Sequence, residues 1–331
     1  MKRLLRILVW IVGILSVLFA VAVFLLYAPQ PPEPTLSGRK VHQEIRVGAL
    51  DRSYLLYAPA RTQPAPPLLV MFHGSMGSPG EMRVHTGYGF DRLADRDGFL
   101  VVYPQGYEGN WNDCRRAADY PARRLGIDDV ALFEVLVERL HRERNIDLGR
   151  VFVAGVSNGG SFVLRLALER PDRIAGAAVF AASLPTDSNL VCTARAPPPP
   201  IMFVNGTSDP INPFDGGEVT LFGFSSRGEV RSALDSARWF AAREGARRSV
   251  TDRIDPADRS DPTWIERRLW RGSRGEVALL AVVGGGHVVP QPAYRPPRLL
   301  GRVTGAIDGP AEAWSFLRRQ PRRESPGAAP R

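Results

Sequence analysis

Short, wholly apolar runs alternate with amphipathic stretches along most of this chain. The runs include "PLLVMF" before His73, "GFLVVY" before Pro104, "VFVAGV" before Ser157, "IAGAAVF", "PPIMFV" and "VALLAVV" before Gly284. A strand that is apolar at every position is covered on both faces, the usual condition of a central strand in a parallel sheet. Helical spacing lies between these runs. Val130, Phe133, Leu136, Val137 and Leu140 form one stripe within 129–144, and Asp128 or Asp129 is placed to cap its start. Further helices are expected around Phe90–Arg96, over Gly159–Glu169 up to Pro171, over Arg227–Gly245 and over Ala311–Arg319. Two alternating runs on either side of Gly48–Asp51 predict an opening strand hairpin, and "TWIERRLW" reads as a late strand. The pattern as a whole predicts an α/β domain, a mostly parallel central sheet with helices on both faces.

One apolar run is of a different kind. Ile7–Ala28 carries no charge and is long enough to cross the hydrocarbon core of a bilayer as a helix. Lys2, Arg3 and Arg6 precede it, which favours a cytoplasmic N-terminus and export of everything after it. Residues 1–28 are therefore expected to be a signal-anchor or a cleaved signal peptide. The run exceeds the usual length of a signal-peptide apolar region, and "LLY" ends it without a small-x-small site. Residues 29–39 are rich in proline and read as an extended, solvated linker. Residues 40–319 hold the catalytic domain, and residues 320–331 form a basic, disordered tail.

Composition changes this picture little. The 331 residues carry a formal net charge of +9, but the two ends supply most of the excess, so the middle is nearly balanced. No zinc finger or RNA-binding motif accompanies the basic tail, so nucleic acid is not an expected partner. Two cysteines, Cys114 and Cys192, suit an exported domain, either as a disulfide or as two separate thiols. As a disulfide they close a loop of roughly 79 residues, for which chain entropy gives about 4 to 5 kcal/mol.

The candidate chemistry starts at "GVSNG", residues 155–159, where an apolar strand turns directly into a helix. This is G-x-S-x-G in the context its chemistry needs. Small flanking residues allow a sharp bend that lifts the Ser157 hydroxyl above the sheet. The same bend directs the Asn158 N–H and the helix N-terminus at one point, where negative charge on a carbonyl oxygen is stabilised. An ordinary glycine-rich turn with a capping serine is the plain alternative. A serine needs a base, and histidine titrates in the right range. Of five histidines, His42 precedes the sheet core, His85 lies in a polar segment, and His141 sits in a charged helix. His287 follows an apolar strand and three glycines and lies C-terminal to Ser157. The orienting acid is expected at Asp209, just after "IMFVNG", with Asp215 its nearest rival. The resulting order, Ser157, Asp209, His287, is that of an α/β-hydrolase. A second oxyanion donor is expected at the Ser75 N–H in "FHGSMG", with His73 orienting that loop.

With those residues in hand, the chain resembles the extracellular polyhydroxybutyrate depolymerase and feruloyl/acetylxylan esterase-like family of α/β-hydrolases. The resemblance spans about Lys40 to Trp314 and rests on "YLLYAPA", "LLVMFHGSMGS", "DGFLVVYPQG", "WNDC", "NIDLGRVFVAGVSNGGSF", "NGTSDPINPFDGG" and "GGGH". It implies a serine esterase that uses Ser157, Asp209 and His287, with oxyanion donors at Ser75 and Asn158. In that family a tryptophan often stands two residues after the histidine. Here Val289 occupies that place, so Trp111 and Val289 are the candidates for a substrate loop, with core packing an equal reading of Trp111.

The expected reaction is hydrolysis of a carboxylic ester through an acyl-enzyme, with no metal or organic cofactor. The partners expected are a small or oligomeric ester (feruloyl, acetyl-sugar or hydroxyalkanoate) and the membrane, if the first helix is retained. The location expected is extracytoplasmic, either anchored or released as a secreted or periplasmic domain. The competing readings are a peptidase or lipase of the same fold, and a catalytically inactive, membrane-tethered binding protein.

Overall fold

In a computed structural model of the protein, residues 2–323 are described. The chain opens with helix α1 (Lys2–Leu26) and a stretch without regular structure. The hairpin β1 (Arg39–Val47) and β2 (Leu50–Ala58) follows, then β3 (Leu68–Phe72), α2 (Pro79–His85), α3 (Gly89–Asp97) and β4 (Leu100–Pro104). Next come α4 (Pro121–Arg124), α5 (Asp129–Arg144), β5 (Val151–Val156), α6 (Asn158–Glu169), β6 (Gly176–Phe180) and β7 (Ile201–Gly206). A two-residue ribbon, β8 (Gly217–Glu218) and β9 (Glu229–Val230), precedes α7 (Ala233–Arg243). The chain then runs through β10 (Ser249–Ile254), β11 (Trp264–Arg271), β12 (Glu276–Val283) and α8 (Gly309–Leu317).

Ten strands form one sheet in the order β1-β2-β4-β3-β5-β6-β7-β12-β11-β10. The six from β4 to β12 run parallel, and the antiparallel hairpins β1-β2 and β11-β10 close the two sides. In the central strands, side chains alternate between two cores. Leu68, Val70 and Phe72 join α5, α6 and α7 on one face, while Leu69 and Met71 join α2, α3 and α8 on the other. This is why those runs are apolar at every position.

Most expected elements lie where the periodicity placed them. The Asp128 carboxylate accepts the Ala131 N–H and caps α5, which leaves Asp129 for another use. α7 begins at Ala233, later than Arg227. Ser232 caps it through the Asp235 N–H, and Glu229–Val230 is drawn into the ribbon with 217–218. β10 lacks a sequence signal because its residues face solvent nearly throughout.

The ends also differ from expectation. The proline-rich linker is not a free tether: Glu33 accepts from Arg83 and Lys40, and the Ser37 N–H donates to Asp95. Residues 320–323 are held to the domain. The Gln320 amide donates to Phe316 O, Arg322 pairs with Asp147, and the Arg323 N–H donates to Gly149 O. The remainder of the expected tail, 324–331, lies outside the described residues. Leu5–Leu26 is long and apolar enough to span a membrane, and none of it is buried against the domain. That helix and the Cys114–Cys192 disulfide, with Cα atoms 5.2 Å apart, fit an extracytoplasmic domain.

Candidate active site

The strands β3, β5, β7 and β12 are parallel members of one sheet, so their C-terminal ends share one edge. The loop of Ser75 follows β3, Ser157 follows β5, Asp209 follows β7, and His287 follows β12. Open parallel sheets place their sites at this edge.

Ser157 has φ +54° and ψ −121°, a conformation that costs a non-glycine residue on the order of 1–3 kcal/mol. The surrounding structure imposes it. A Cβ on Gly155 would stand 2.4 Å from Gly159 O, and one on Gly159 would stand 2.4 Å from His73 O and 2.5 Å from Phe72 O. Only glycines let α6 approach β3 and β5 this closely, which explains the spacing in "GVSNG". The Ser157 side chain does not cap α6, so the plain reading of a capping serine does not hold. The loop of the candidate second donor lies against it: a Cβ on Gly74 would be 3.5 Å from Ser157 Cβ. Asn158 is the first residue of α6, and the helix itself offers its N–H no acceptor.

The acid and base meet directly. His287 Nδ1 lies 2.7 Å from Asp209 Oδ2, and both side chains are almost fully buried. Asp209 Oδ1 accepts the N–H groups of Ile211 and Asn212, each at 2.8 Å, so one oxygen is fixed by the backbone and the other is turned to the imidazole. With Nδ1–H donated to a carboxylate, Nε2 is left as the basic nitrogen. The rival Asp215 is exposed in its turn. The three glycines of "GGGH" work by close approach: a Cβ on Gly286 would stand 2.0 Å from Leu300 O, and the His287 N–H bonds that same carbonyl at 2.7 Å.

His73 has a different task. Its Nδ1 donates to Gly74 O at 2.7 Å, its Nε2 accepts the Gly106 N–H at 2.9 Å, and its carbonyl accepts Trp111 Nε1–H. Burial pushes its pKa down to about 4. An unfolded chain takes up this proton near pH 6.5, whereas the folded one refuses it until about pH 4. Stability is therefore full above pH 6.5 and declines as pH falls through that window, by about 3 kcal/mol for this group. His73→Asn keeps a donor for Gly74 O without the titration. Urea unfolding at pH 7, 5.5 and 4.5 is expected to show a shallower pH slope in His73→Asn than in the wild type. An unchanged slope would remove His73 from the acid response.

Trp111 and Val289 are corrected by the structure. The Trp111 indole is fully buried, stacked on Phe162 and edge-on to Phe72, because its N–H finds the His73 carbonyl inside the core. Val289 is buried among the side chains that pack under α8. Neither forms a wall of the site.

The residues that sequence reasoning passed over surround Trp111. The Asn158 side chain accepts the Trp111 N–H and donates to Trp111 O and to Asp113 Oδ2. Asp113 pairs with Arg115, and Tyr120 OH accepts from Arg115 and from Ser75 Oγ. Asp129, freed from capping, accepts the Asn112 N–H and pairs with buried Arg52, whose opposite charge works against the rise that burial imposes on its carboxyl pKa. The available signal was a pair of opposite charges on either side of a cysteine in "NDCR".

A mostly parallel sheet with a half-buried serine elbow, and an Asp–His pair at the same edge, is the architecture of an α/β-hydrolase. An acetyl xylan esterase from Aspergillus awamori shares the fold, with a TM-score of 0.52 over 76% of this chain and 95% of that one, at 16% identity. The protein NocK of Nocardia uniformis subsp. tsuyamanensis, named as an esterase, is 29% identical over 85% of this chain and 82% of its own length. The bifunctional acetylxylan esterase/xylanase XynS20E of Neocallimastix patriciarum is 28% identical over 58% of this chain, which spans 26% of that protein. Residues 52–217 match the family described as Esterase PHB depolymerase, and the chain belongs to that family. It is a carboxylic ester hydrolase.

Proposed function

We propose that the protein hydrolyses carboxylic esters with Ser157 as nucleophile, His287 as general base and acid, and Asp209 as the group that orients His287. The observation that carries this reading is the 2.7 Å Asp209–His287 contact at the sheet edge where the strained Ser157 elbow stands. Ser157 Oγ attacks the ester carbonyl as its proton passes to His287 Nε2. The carbonyl oxygen becomes an oxyanion that accepts the N–H groups of Ser75 and Asn158. The C–O bond to the alcohol breaks, and His287 gives its proton to the leaving oxygen. Water then attacks the acyl-enzyme by the same route and frees Ser157. The substrate is a small or oligomeric ester, for which acetyl-sugar, feruloyl and hydroxyalkanoate esters share the required carbonyl. The relative XynS20E is named for acetylxylan, which makes acetylated sugars the first class to assay.

Residues 1–28 act as a signal-anchor in this reading, with residues 40–319 as the catalytic domain outside the cytoplasm. The apolar span Leu5–Leu26, preceded by Lys2 and Arg3, supports this reading.

The direct test is covalent. A fluorophosphonate incubated with the full-length protein is expected to add one phosphonyl group to the tryptic peptide containing Ser157. The adduct is lost in Ser157→Ala and strongly slowed in His287→Ala. A folded protein that shows no adduct, or an adduct elsewhere, refutes the assignment.

A further inference from the structure

We infer that Asp113, Arg115 and Tyr120 form a positioning bridge that sets the spacing between the two oxyanion donors, an inference that rests on the oxyanion reading of Ser75 and Asn158. The two donors sit on separate elements, one on the loop after β3 and one at the start of α6. They are connected by an unbroken chain of polar contacts. Asn158 Nδ2 donates to Asp113 Oδ2 at 2.7 Å. Arg115 holds the same carboxylate through Nη2 at 2.5 Å and through Nε at 3.1 and 3.2 Å. Arg115 Nη2 reaches Tyr120 OH at 3.3 Å, and Ser75 Oγ donates to that hydroxyl at 3.0 Å.

The bridge is buried and anchored. Asp113 is fully buried, Arg115 is 4% exposed and Tyr120 6%. A buried ion pair is weak evidence for stability, since desolvation offsets its attraction, but it is a stiff device for orientation. Its backbone is fixed on each side. Both main-chain groups of Trp111 bind the Asn158 side chain, the Asn112 N–H and carbonyl bind Asp129 and Arg165, and Cys114 is bonded to Cys192. The Tyr120 ring lies beneath two guanidinium groups, Arg115 at 5.8 Å and Arg227 at 4.5 Å. Ser75, by contrast, sits on a half-exposed loop next to Met76 at φ +57°. The Trp111 indole holds the start of that loop at the His73 carbonyl, and the Ser75 hydroxyl bond to Tyr120 ties the donor residue itself to the rigid segment.

A donor must stand about 2.7–3.1 Å from the oxyanion, and losing one costs about 10²–10³ in kcat. A donor that remains but drifts costs less. Tyr120→Phe deletes only the hydroxyl and keeps the ring under both arginines. In the full-length protein with p-nitrophenyl acetate, it is expected to lower kcat about 10- to 100-fold with KM within about twofold. Its affinity for a trifluoromethyl ketone should fall in parallel. That probe adds reversibly to Ser157 Oγ, with the serine proton passing to His287 and the ketone oxygen becoming the oxyanion. Ser75→Ala keeps the backbone donor and removes the other end of the same bond. It should reproduce the loss, and the double variant should be no worse than either single one.

Tyr120→Phe with wild-type kcat and ketone affinity overturns the bridge. Additive losses in the double variant, or losses in kcat that track only a falling melting temperature, overturn it as well. Turnover that survives Ser157→Ala would instead overturn the underlying site assignment, so the two failures are distinguishable.

Discussion

Ser157→Ala is expected to lower kcat for p-nitrophenyl acetate by at least about 10⁴-fold, with the fold intact. The hydroxyl is the only group lost. It does not cap α6, so helix stability has no stake in it. Removing a side-chain oxygen at φ +54° leaves the strain of the elbow in place, because Gly155 and Gly159 impose it. Asp209→Asn is expected to cost almost as much, about 10⁴-fold, for a reason that the local bonds define. Oδ1 accepts two backbone N–H groups, so the substituted carboxamide must keep its oxygen there. Its NH₂ then faces His287 Nδ1 and forces the imidazole proton onto Nε2, the nitrogen that has to accept from Ser157. Steady-state kinetics of both variants beside the wild type check the pair. Ser157→Ala with more than about a tenth of wild-type kcat would remove serine nucleophilic catalysis.

The second large effect is on stability. Cys114→Ala/Cys192→Ala is expected to lose about 4 to 5 kcal/mol, because the bond closes a segment with a sequence separation of 78. Alanine is chosen because both cysteines are buried and a serine hydroxyl would add a desolvation cost there. Total stabilities of domains are typically about 5–15 kcal/mol, so the variant would be near the limit of folding at 37 °C. Urea unfolding of the wild type with and without dithiothreitol, beside the double variant, gives the value. A loss under about 1 kcal/mol would mean that the unfolded chain gains little freedom from losing the bond. The location matters as much as the size. Cys114 stands between Asp113 and Arg115, so reduction should also lower kcat in protein that remains folded.

Much of this molecule is legible in one dimension. The central strands announce themselves because burial on both faces demands an apolar residue at every position, and "LLVMF", "LVVYP" and "IMFVNG" satisfy it. α5 shows its stripe because it packs one face on the sheet, whereas α6 is buried on nearly every side and is announced by the elbow before it. The elbow is readable because its geometry excludes side chains at fixed offsets from Ser157. Elements that make no such demand were invisible. The exposed β10 needs no apolar pattern, and the true start of α7 depends on a two-residue ribbon pairing.

The sequence by itself determined the class of chemistry, and it supplied the proposed nucleophile and the chain order of the proposed serine, acid and base. These follow from residue types at local spacings and from where apolar runs end. Sequence favoured Asp209, three residues past the end of β7, over Asp215, nine past it, but only the tertiary structure brings Asp209 to His287 and leaves Asp215 exposed. It also turned Trp111 from a candidate surface residue into a core one, and it joined Asn158, Asp113, Arg115, Tyr120 and Ser75 into one chain of contacts. The physical reason is range. Periodicity and turn geometry act over a few residues, whereas burial and hydrogen-bond partnership are set by elements that meet only after the sheet has assembled.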